Sequence, residues 1–308
     1  MSRFLQYLLI GLALPTLLCL AIVEFGARHC PNTYRFKHNA VMQHGGDITT
    51  LVLGGSRAYY GIDPALLSEQ AFSLANVSQP LYIDYWLLRK YHAALPKLGI
   101  VILDVNNVNI ASSGDMGKGM EWYRLIYYTL YMDYPAPLLS RYHFEVCNFC
   151  NAKKKAMQAA RNANATKVEP TCTTAGWGLD YVTPKEYDPA AFAETARIAA
   201  QRHNHPGQSR FEHSVQKLEE IAAYCKEHNL RLILITTPLS PEYRAAANPE
   251  QFQYLTEATR RMAEKYGVEY LNYAGDPRFR ETDFYDGDHL SHQGTRKFSE
   301  ILKSDAKL

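Results

Sequence analysis

The 308-residue chain carries 33 Lys and Arg against 31 Asp and Glu, a formal net charge of +2. That balance excludes the strongly basic field of a nucleic-acid-binding surface, and the densest run, Lys153-Lys154-Lys155, reads as a solvated helix face. With 47% apolar and 21% charged residues, the chain can build a sizeable core, either as an anchor plus one large domain or as two small domains.

Residues Phe4 to Val23 carry no charge, and only Gln6 and Thr16 are clearly polar. As a helix such a run spans roughly 30 Å, the thickness of a bilayer's hydrocarbon core. The best small-x-small cleavage pattern, Cys19-Leu20-Ala21, lies inside the apolar run. Cys19 lacks the small preceding residue of a lipid-modified cysteine. Residues 1–24 are therefore expected to be an uncleaved anchor, with the membrane a partner through residues 4–23. Counting Arg3 against Arg28, Arg35 and Lys37 favours a cytoplasmic C-terminal domain. The very short lead before a single apolar helix looks instead like a secretory signal. The domain is expected on the extracytoplasmic side.

Residues 25–47 show little periodicity and read as a linker. Thr49 to Leu53 is an apolar run ending at Gly54-Gly55, the pattern of a buried parallel strand. Ala71 to Ala75 is a weaker strand, Pro80 opens a helix reaching about Leu95, and Gly99 to Val105 is the next strand. From 109 to 207 the alternation stops, and this stretch is expected to be one long insertion with some helix of its own. It holds Trp122, Tyr123, Tyr127, Tyr128, Tyr131 and Trp177, which could stack on sugars but read first as packing. It also holds Cys147-x-x-Cys150 and His203-x-His205. No second ligand pair follows at zinc-finger distance. For an exported domain a disulfide, local or to Cys172, is expected, with buried thiols as the bland alternative. His203-x-His205 beside Pro206-Gly207 reads as loop.

Beyond the insertion, Phe211, Val215, Leu218, Ala222 and Cys225 recur at steps of four and three, one face of an amphipathic helix. Leu232 to Thr236 is a buried strand, Asn248-Pro249 a helix start ended by Gly267, Val268 to Leu271 the last strand, and Gln293 to Leu302 a final helix. Strands alternating with helices predict one α/β domain over 48–308, a mainly parallel sheet covered on both faces, with reactive groups at the strands' carboxyl ends.

Three places meet that condition. Ser56 follows the first core strand in Leu53-Gly54-Gly55-Ser56-Arg57, where glycines let the chain turn and expose a hydroxyl. An ordinary turn is the bland reading. Asp286-Gly287-Asp288-His289 lies before the last helix. A serine needs a histidine to accept its proton and a carboxylate to fix that histidine's tautomer, and one loop could deliver both. Asp288 and His292 compete for these roles. Asn106, after the third strand, could donate to an oxyanion, as could a backbone N–H in Asn76-Val77-Ser78.

Together these residues resemble the SGNH (GDSL-like) hydrolase and acyltransferase family. Gly54-Gly55-Ser56 corresponds to its nucleophile block. Asn76-Val77-Ser78 matches its Asn-x-Gly block with serine for glycine. Asp104-Val105-Asn106-Asn107 matches its Gly-x-Asn-Asp block only in the asparagine, and Asp286-Gly287-Asp288-His289 matches its closing Asp-x-x-His block fully. Order and spacing agree over about 49–106 and 209–303. The resemblance implies a three-layer flavodoxin-like fold and a Ser56-His289-Asp286 triad. It implies an oxyanion hole at Ser56, Ser78 and Asn106, and needs no cofactor or metal. The departures look like the family's membrane-anchored, envelope acyltransferase-like branch more than its simple esterases. The implied partners are an acylated small molecule or glycan and a membrane acyl-donor protein. Ester hydrolysis is expected, with O-acyl transfer to an envelope glycan, or a catalytically silent glycan-binding module, as alternatives.

Overall fold

The computed structural model describes residues 3–111, 116, 121–161, 171–183, 187–204 and 211–308, with Tyr7 the one side chain described before Gly11. In chain order, α1 (Arg3–His29) and α2 (Thr33–His44) precede β1 (Thr50–Leu53), α3 (Ser56–Gly61), α4 (Pro64–Leu67) and β2 (Ala71–Ser73). Then come α5 (Leu81–Tyr91), β3 (Ile100–Asp104), α6 (Arg124–Met132), α7 (Phe149–Arg161), α8 (Pro189–His203) and α9 (Phe211–Glu227). The chain closes with β4 (Arg231–Thr236), α10 (Pro241–Ala246), α11 (Pro249–Tyr266), β5 (Glu269–Asn272), β6 (Phe284–Asp286), β7 (His289–Leu290) and α12 (His292–Asp305). Two compact units result, one from residues 1–38 and 115–170, the other from 39–114 and 171–308.

The larger unit is built on a five-stranded parallel sheet in the order β2-β1-β3-β4-β5, the order of flavodoxin-like doubly wound folds. Its central strands are buried along nearly their whole length, which is why they read as unbroken apolar runs. β5, at the edge, is only partly buried and correspondingly mixed in sequence. Helices α5, α9 and α11 pack side by side in one layer, and α12 lies against α3 and α4 in another. The five apolar positions of α9 are all buried. Asn248 caps α11 through the Glu250 N–H, with Pro249 in the first turn, and Gly267 ends it in the left-handed region.

Three expectations need correction. The lead-in over 25–47 is mostly helical rather than a linker: α1 runs on to His29, and Asn32 starts α2 by accepting from the Arg35 N–H. Thr33, Lys37 and Val41 recur at steps of four and are all buried, but two of the three are polar, which hid the period. The stretch 109–207 is not one insertion, since 115–170 clusters with the amino-terminal residues and 171–207 with the larger unit.

No disulfide forms among the described residues. Cys147 and Cys150 are exposed thiols and Cys172 is a buried one, packed where it bridges to Gly178. The bland reading of the cysteines holds for Cys172.

In the smaller unit, α7 packs along α1, and Tyr127, Tyr128 and Tyr131 of α6 are buried. Tyr34 meets Tyr128 edge-on at 5.0 Å. Buried Glu145 accepts from the Tyr131 hydroxyl at 2.6 Å and from Lys155 at 2.7 Å. Packing accounts for these aromatics.

Candidate active site

β1 turns into α3 within two residues, and only one of the two glycines there is sterically required. Gly54 has φ +133°, and a Cβ on it would lie 2.8 Å from the Asp104 Cβ and 3.1 Å from the Ala58 Cβ. Gly55 has φ −82° and its nearest obstacle is at 3.7 Å. The Gly54 N–H donates to Asp84 Oδ1 at 2.9 Å, and the Gly54 carbonyl accepts from the Asn76 N–H at 3.2 Å. This turn, held on both sides, places Ser56 as the first residue of α3, where backbone N–H groups have no intrahelical acceptor.

The β6–β7 turn supplies the other half. Asp286 Oδ1 accepts from the backbone N–H of Asp288 at 3.1 Å and of His289 at 2.9 Å, an Asx turn that fixes the loop through its own carboxylate. The same carboxylate receives His289 Nδ1 at 2.9 and 3.1 Å, and His289 Nε2 lies 2.8 Å from Ser56 Oγ. With Nδ1–H donating to Asp286, Nε2 is left as the acceptor for the serine proton.

Of the competitors, His292 is turned away and contacts the Leu179 carbonyl through Nε2 at 3.2 Å. Asp288 is close but differently employed. It is buried, paired with Arg57 at 3.3 Å, and its Oδ1 lies 3.6 Å from His289 Nδ1 without a hydrogen-bond partner. Arg57, the residue after Ser56, is itself buried. It donates to Asn107 Oδ1 at 2.9 Å and to the Tyr243 hydroxyl at 2.7 Å. Burial disfavours charge on both His289 and Asp288. It is outweighed on His289 by the carboxylates of Asp288 and Asp286, which hold its pKa above the usual value. It is outweighed on Asp288 by His289 and Arg57, which hold its pKa down. His203 meets the Tyr243 hydroxyl at 3.0 Å, and burial pushes its pKa down to about 4 despite Asp288 nearby. It therefore stands as a neutral member of the network. His205 lies outside the described residues.

The expected oxyanion donors divide. Asn106 is buried, with Oδ1 accepting from the N–H groups of Val108 and Asn109 at 3.0 Å each, and Nδ2 donating to Asp104 Oδ2 at 2.7 Å. One amide hydrogen remains uncommitted, and no hydrogen bond joins Asn106 to Ser56 or His289 among the described residues. Ser78 has φ +57°, the left-handed region that glycine favours. The serine thus holds a conformation for which glycine is the easier residue.

Several participants were missed from sequence. Asp84, on α5, is fully buried and also accepts from Gln79 at 2.6 Å, while Gln79 in turn accepts from Asn76 at 3.3 Å. Burial drives the Asp84 carboxyl up to about 8 and that of neighbouring Asp104 up to about 6. A lone carboxylate amid the apolar Leu81–Tyr91 helix, and another closing the Ile100–Asp104 strand, were the available signals. The 171–183 segment was missed too. Tyr181 stacks between Tyr60 (3.8 Å between centroids) and Tyr285 (4.3 Å), and meets the His289 ring edge-on at 5.0 Å. The Trp177 indole N–H donates to the Tyr60 carbonyl at 2.8 Å.

Asp286, Asp288 and His289 bring potential metal-ligand atoms within 4.8 Å of one another. His289 Nδ1 is committed to Asp286 and Asp288 is paired with Arg57, so the cluster's present bonds are those of a supported base.

No family model matches this sequence, and no curated protein matches it. Among solved structures, the chain is similar to a GDSL-like lipase from Bacteroides thetaiotaomicron. The identity is 10% and the TM-score 0.44, over 89% of this chain and 98% of that one. It is also similar to a lipase/acylhydrolase from Enterococcus faecalis, at 12% identity and TM-score 0.40, over 84% and 96%.

Proposed function

We propose that this chain is a serine-dependent acyl-ester hydrolase of the SGNH type. The observation that carries the reading is the continuous hydrogen-bonded chain from Ser56 Oγ through His289 to Asp286, at 2.8 and 2.9 Å. Ser56 attacks the ester carbonyl as its proton passes to His289 Nε2, and Asp286 orients the imidazolium and offsets its charge. The Ser56 and Ser78 backbone N–H groups and the remaining Asn106 amide hydrogen receive the oxyanion. Collapse of the tetrahedral intermediate breaks the ester C–O bond, and His289 returns the proton to the departing alcohol. Water, deprotonated by His289, then attacks the acyl-serine, and His289 returns that proton to Ser56 Oγ as the acid departs.

The substrate class follows from the resemblance: acyl esters of envelope glycans or lipids, met on the extracytoplasmic side of a membrane crossed by α1. Among the described residues, the stretch Gly11–His29 of α1 is apolar and long enough to cross a bilayer. Protease added to spheroplasts should cut the catalytic unit. Protection until the membrane is lysed would reverse that topology.

Acyl transfer is the second reading, favoured by the tyrosine stack beside His289. It leaves the ring only 7% exposed and ends at Tyr285, 42% exposed, a surface on which an acceptor sugar could stack. A fluorophosphonate probe should label the protein and spare Ser56→Ala and His289→Ala; equal labelling of Ser56→Ala ends the triad assignment. An activated acetyl ester offered with and without glycan acceptors then separates the readings. Free acetate at a rate indifferent to acceptor is hydrolysis. Acylated glycan that requires Ser56 is transfer, and glycan binding without turnover is a silent module.

A further inference from the structure

The smaller unit carries an apolar surface that the catalytic reading does not use. Along α1, Leu12, Leu14, Leu17, Leu18, Ile22 and Phe25 are each more than half exposed. The carboxyl-terminal end of that helix is fastened to residues 137–149. The Arg28 guanidinium donates to Glu24 and, at 2.7 Å, to the His143 carbonyl, while the Glu24 carboxylate accepts from the Val146 N–H at 2.9 Å. Gly26 faces α7 so closely that a Cβ on it would lie 2.8 Å from the Ala156 Cβ. Residues 137–149 therefore sit at the level where α1 reaches its first charged groups, which is where a spanning helix leaves the hydrocarbon.

At that level Leu138 and Leu139 are 84% and 98% exposed, and Phe144 and Phe149 are nearly half exposed. Pro135 and Pro137 fix the backbone φ ahead of the leucine pair, so little order is lost when it meets a partner. Two residues on, the Arg141 guanidinium lies 3.9 Å over the Trp122 ring, and in the same unit Lys153 and Lys154 of α7 are exposed. Residues 24–38 and 121–161 together hold nine Lys and Arg against four Asp and Glu. Adjacent exposed leucines flanked by aromatic and basic side chains match the chemistry of an anionic bilayer surface. Continuity with α1 also favours lipid over a protein partner.

We propose that residues 137–149 form a second membrane contact, with Leu138 and Leu139 inserted at the acyl boundary of an anionic leaflet. Arg141, Lys153 and Lys154 lie at headgroup level. The proposal rests on α1 being the anchor, and it gives the smaller unit a fixed attitude on the membrane that a single spanning helix would not.

The test uses the full chain at one copy per lipid nanodisc containing phosphatidylglycerol. Leu139→Trp adds a fluorophore, with the parent protein giving the background of its three native tryptophans. The added emission should be blue-shifted and quenched by lipids brominated near the headgroup end of the acyl chain. Emission typical of water, quenched by iodide and not by bromolipid, would overturn the proposal. So would a blue shift seen only at two or more copies per disc and indifferent to bromolipid, since a second copy would then cover the leucines. Leu138→Asp with Leu139→Asp should abolish the contact while the protein stays resistant to carbonate extraction. Extraction of the parent itself would remove the α1 reading and the proposal with it, and leave the triad untouched.

Discussion

The two loops that meet at the candidate active site hold their side chains by opposite means. The acid–base loop is self-contained. Within four residues Asp286 bonds the backbone N–H groups of Asp288 and His289 and the His289 ring, so one short segment carries its own geometry. The nucleophile loop is held from outside. Gly54 is gripped by Asp84 from α5 and by Asn76 after β2, with Gln79 bonded to both. Local construction tolerates change elsewhere in the fold, whereas remote construction makes the position of Ser56 depend on residues far from it in sequence.

The largest expected effect falls on the self-contained loop. Asp286→Asn keeps its shape but offers Nδ1 an amide, which permits the wrong tautomer, and kcat should fall about 10⁴-fold, as expected when a triad carboxylate is neutralised. Steady-state kinetics on an activated acetyl ester checks this. A loss under tenfold would mean that Asp288, 3.6 Å from the same nitrogen, carries the role instead.

On the nucleophile loop, Gly54→Ala places a methyl group 2.8 Å from the Asp104 Cβ at a φ that alanine rarely adopts. Strain and overpacking together should lower stability by about 2–4 kcal/mol, read as a lower urea midpoint, and displace Ser56 enough to cut probe labelling. Gly55→Ala, with its nearest contact at 3.7 Å, should do neither. Equal effects of the two would deny the distinction.

Asp84→Asn probes the remote support more gently, through pH. Burial raises the Asp84 carboxyl to about 8, above its unfolded value of about 3.9, so the folded protein holds a proton that the unfolded chain releases. The stabilising contribution of that proton is complete below the unfolded pKa and lost as pH rises toward 8, at up to about 1.4 kcal/mol per pH unit. Asp104, raised to about 6, acts with the same sign over a narrower window. Asp84→Asn retains an acceptor for Gly54 and Gln79 and should flatten the fall of the unfolding free energy between pH 4 and 8. Parallel slopes in variant and parent would show that Asp84 is charged in the folded state.

The same contrast explains what could be read from sequence. Asp286 and His289 were legible because their geometry is encoded within one turn, and Ser56 because its turn needs Gly54, a residue with few other reasons to be there. The parallel sheet was legible in the unbroken runs of β1, β3 and β4. Gln79 and Arg57 were not, since nothing local distinguishes a buried polar side chain with distant partners from an exposed one, and Asp84 left only the weak signal of a lone carboxylate on a largely apolar helix. Asn106 was marked as a donor, yet most of its bonds stabilise its own turn. Residues 171–183 escaped because their role is contact across more than a hundred positions, as between Trp177 and Tyr60.

One link joins the two loops besides the serine–histidine bond, and it gives the smallest and most discriminating effect. Arg57, beside the nucleophile, pairs with Asp288, beside the histidine. Burial opposes charge on His289, and Asp288 ahead of Asp286 counters it, with the net result above the ordinary histidine pKa. The histidine must be neutral to accept the serine proton, so the acid limb of kcat/KM should have its midpoint above about 6.5. Asp288→Asn retains an oxygen toward Arg57 but removes a negative charge, and it leaves the positive charge of Arg57 less compensated. Both changes favour neutral imidazole, so the midpoint should move to lower pH. The plateau at higher pH should change little, because Asp286 still fixes the tautomer. A urea titration confirms that the variant is folded over the pH range assayed. A plateau that collapses with an unmoved midpoint would make Asp288 a brace for the geometry of the two loops. A moved midpoint with the plateau intact assigns it to the charge on His289, and makes the nucleophile loop's arginine part of how the acid–base loop is tuned.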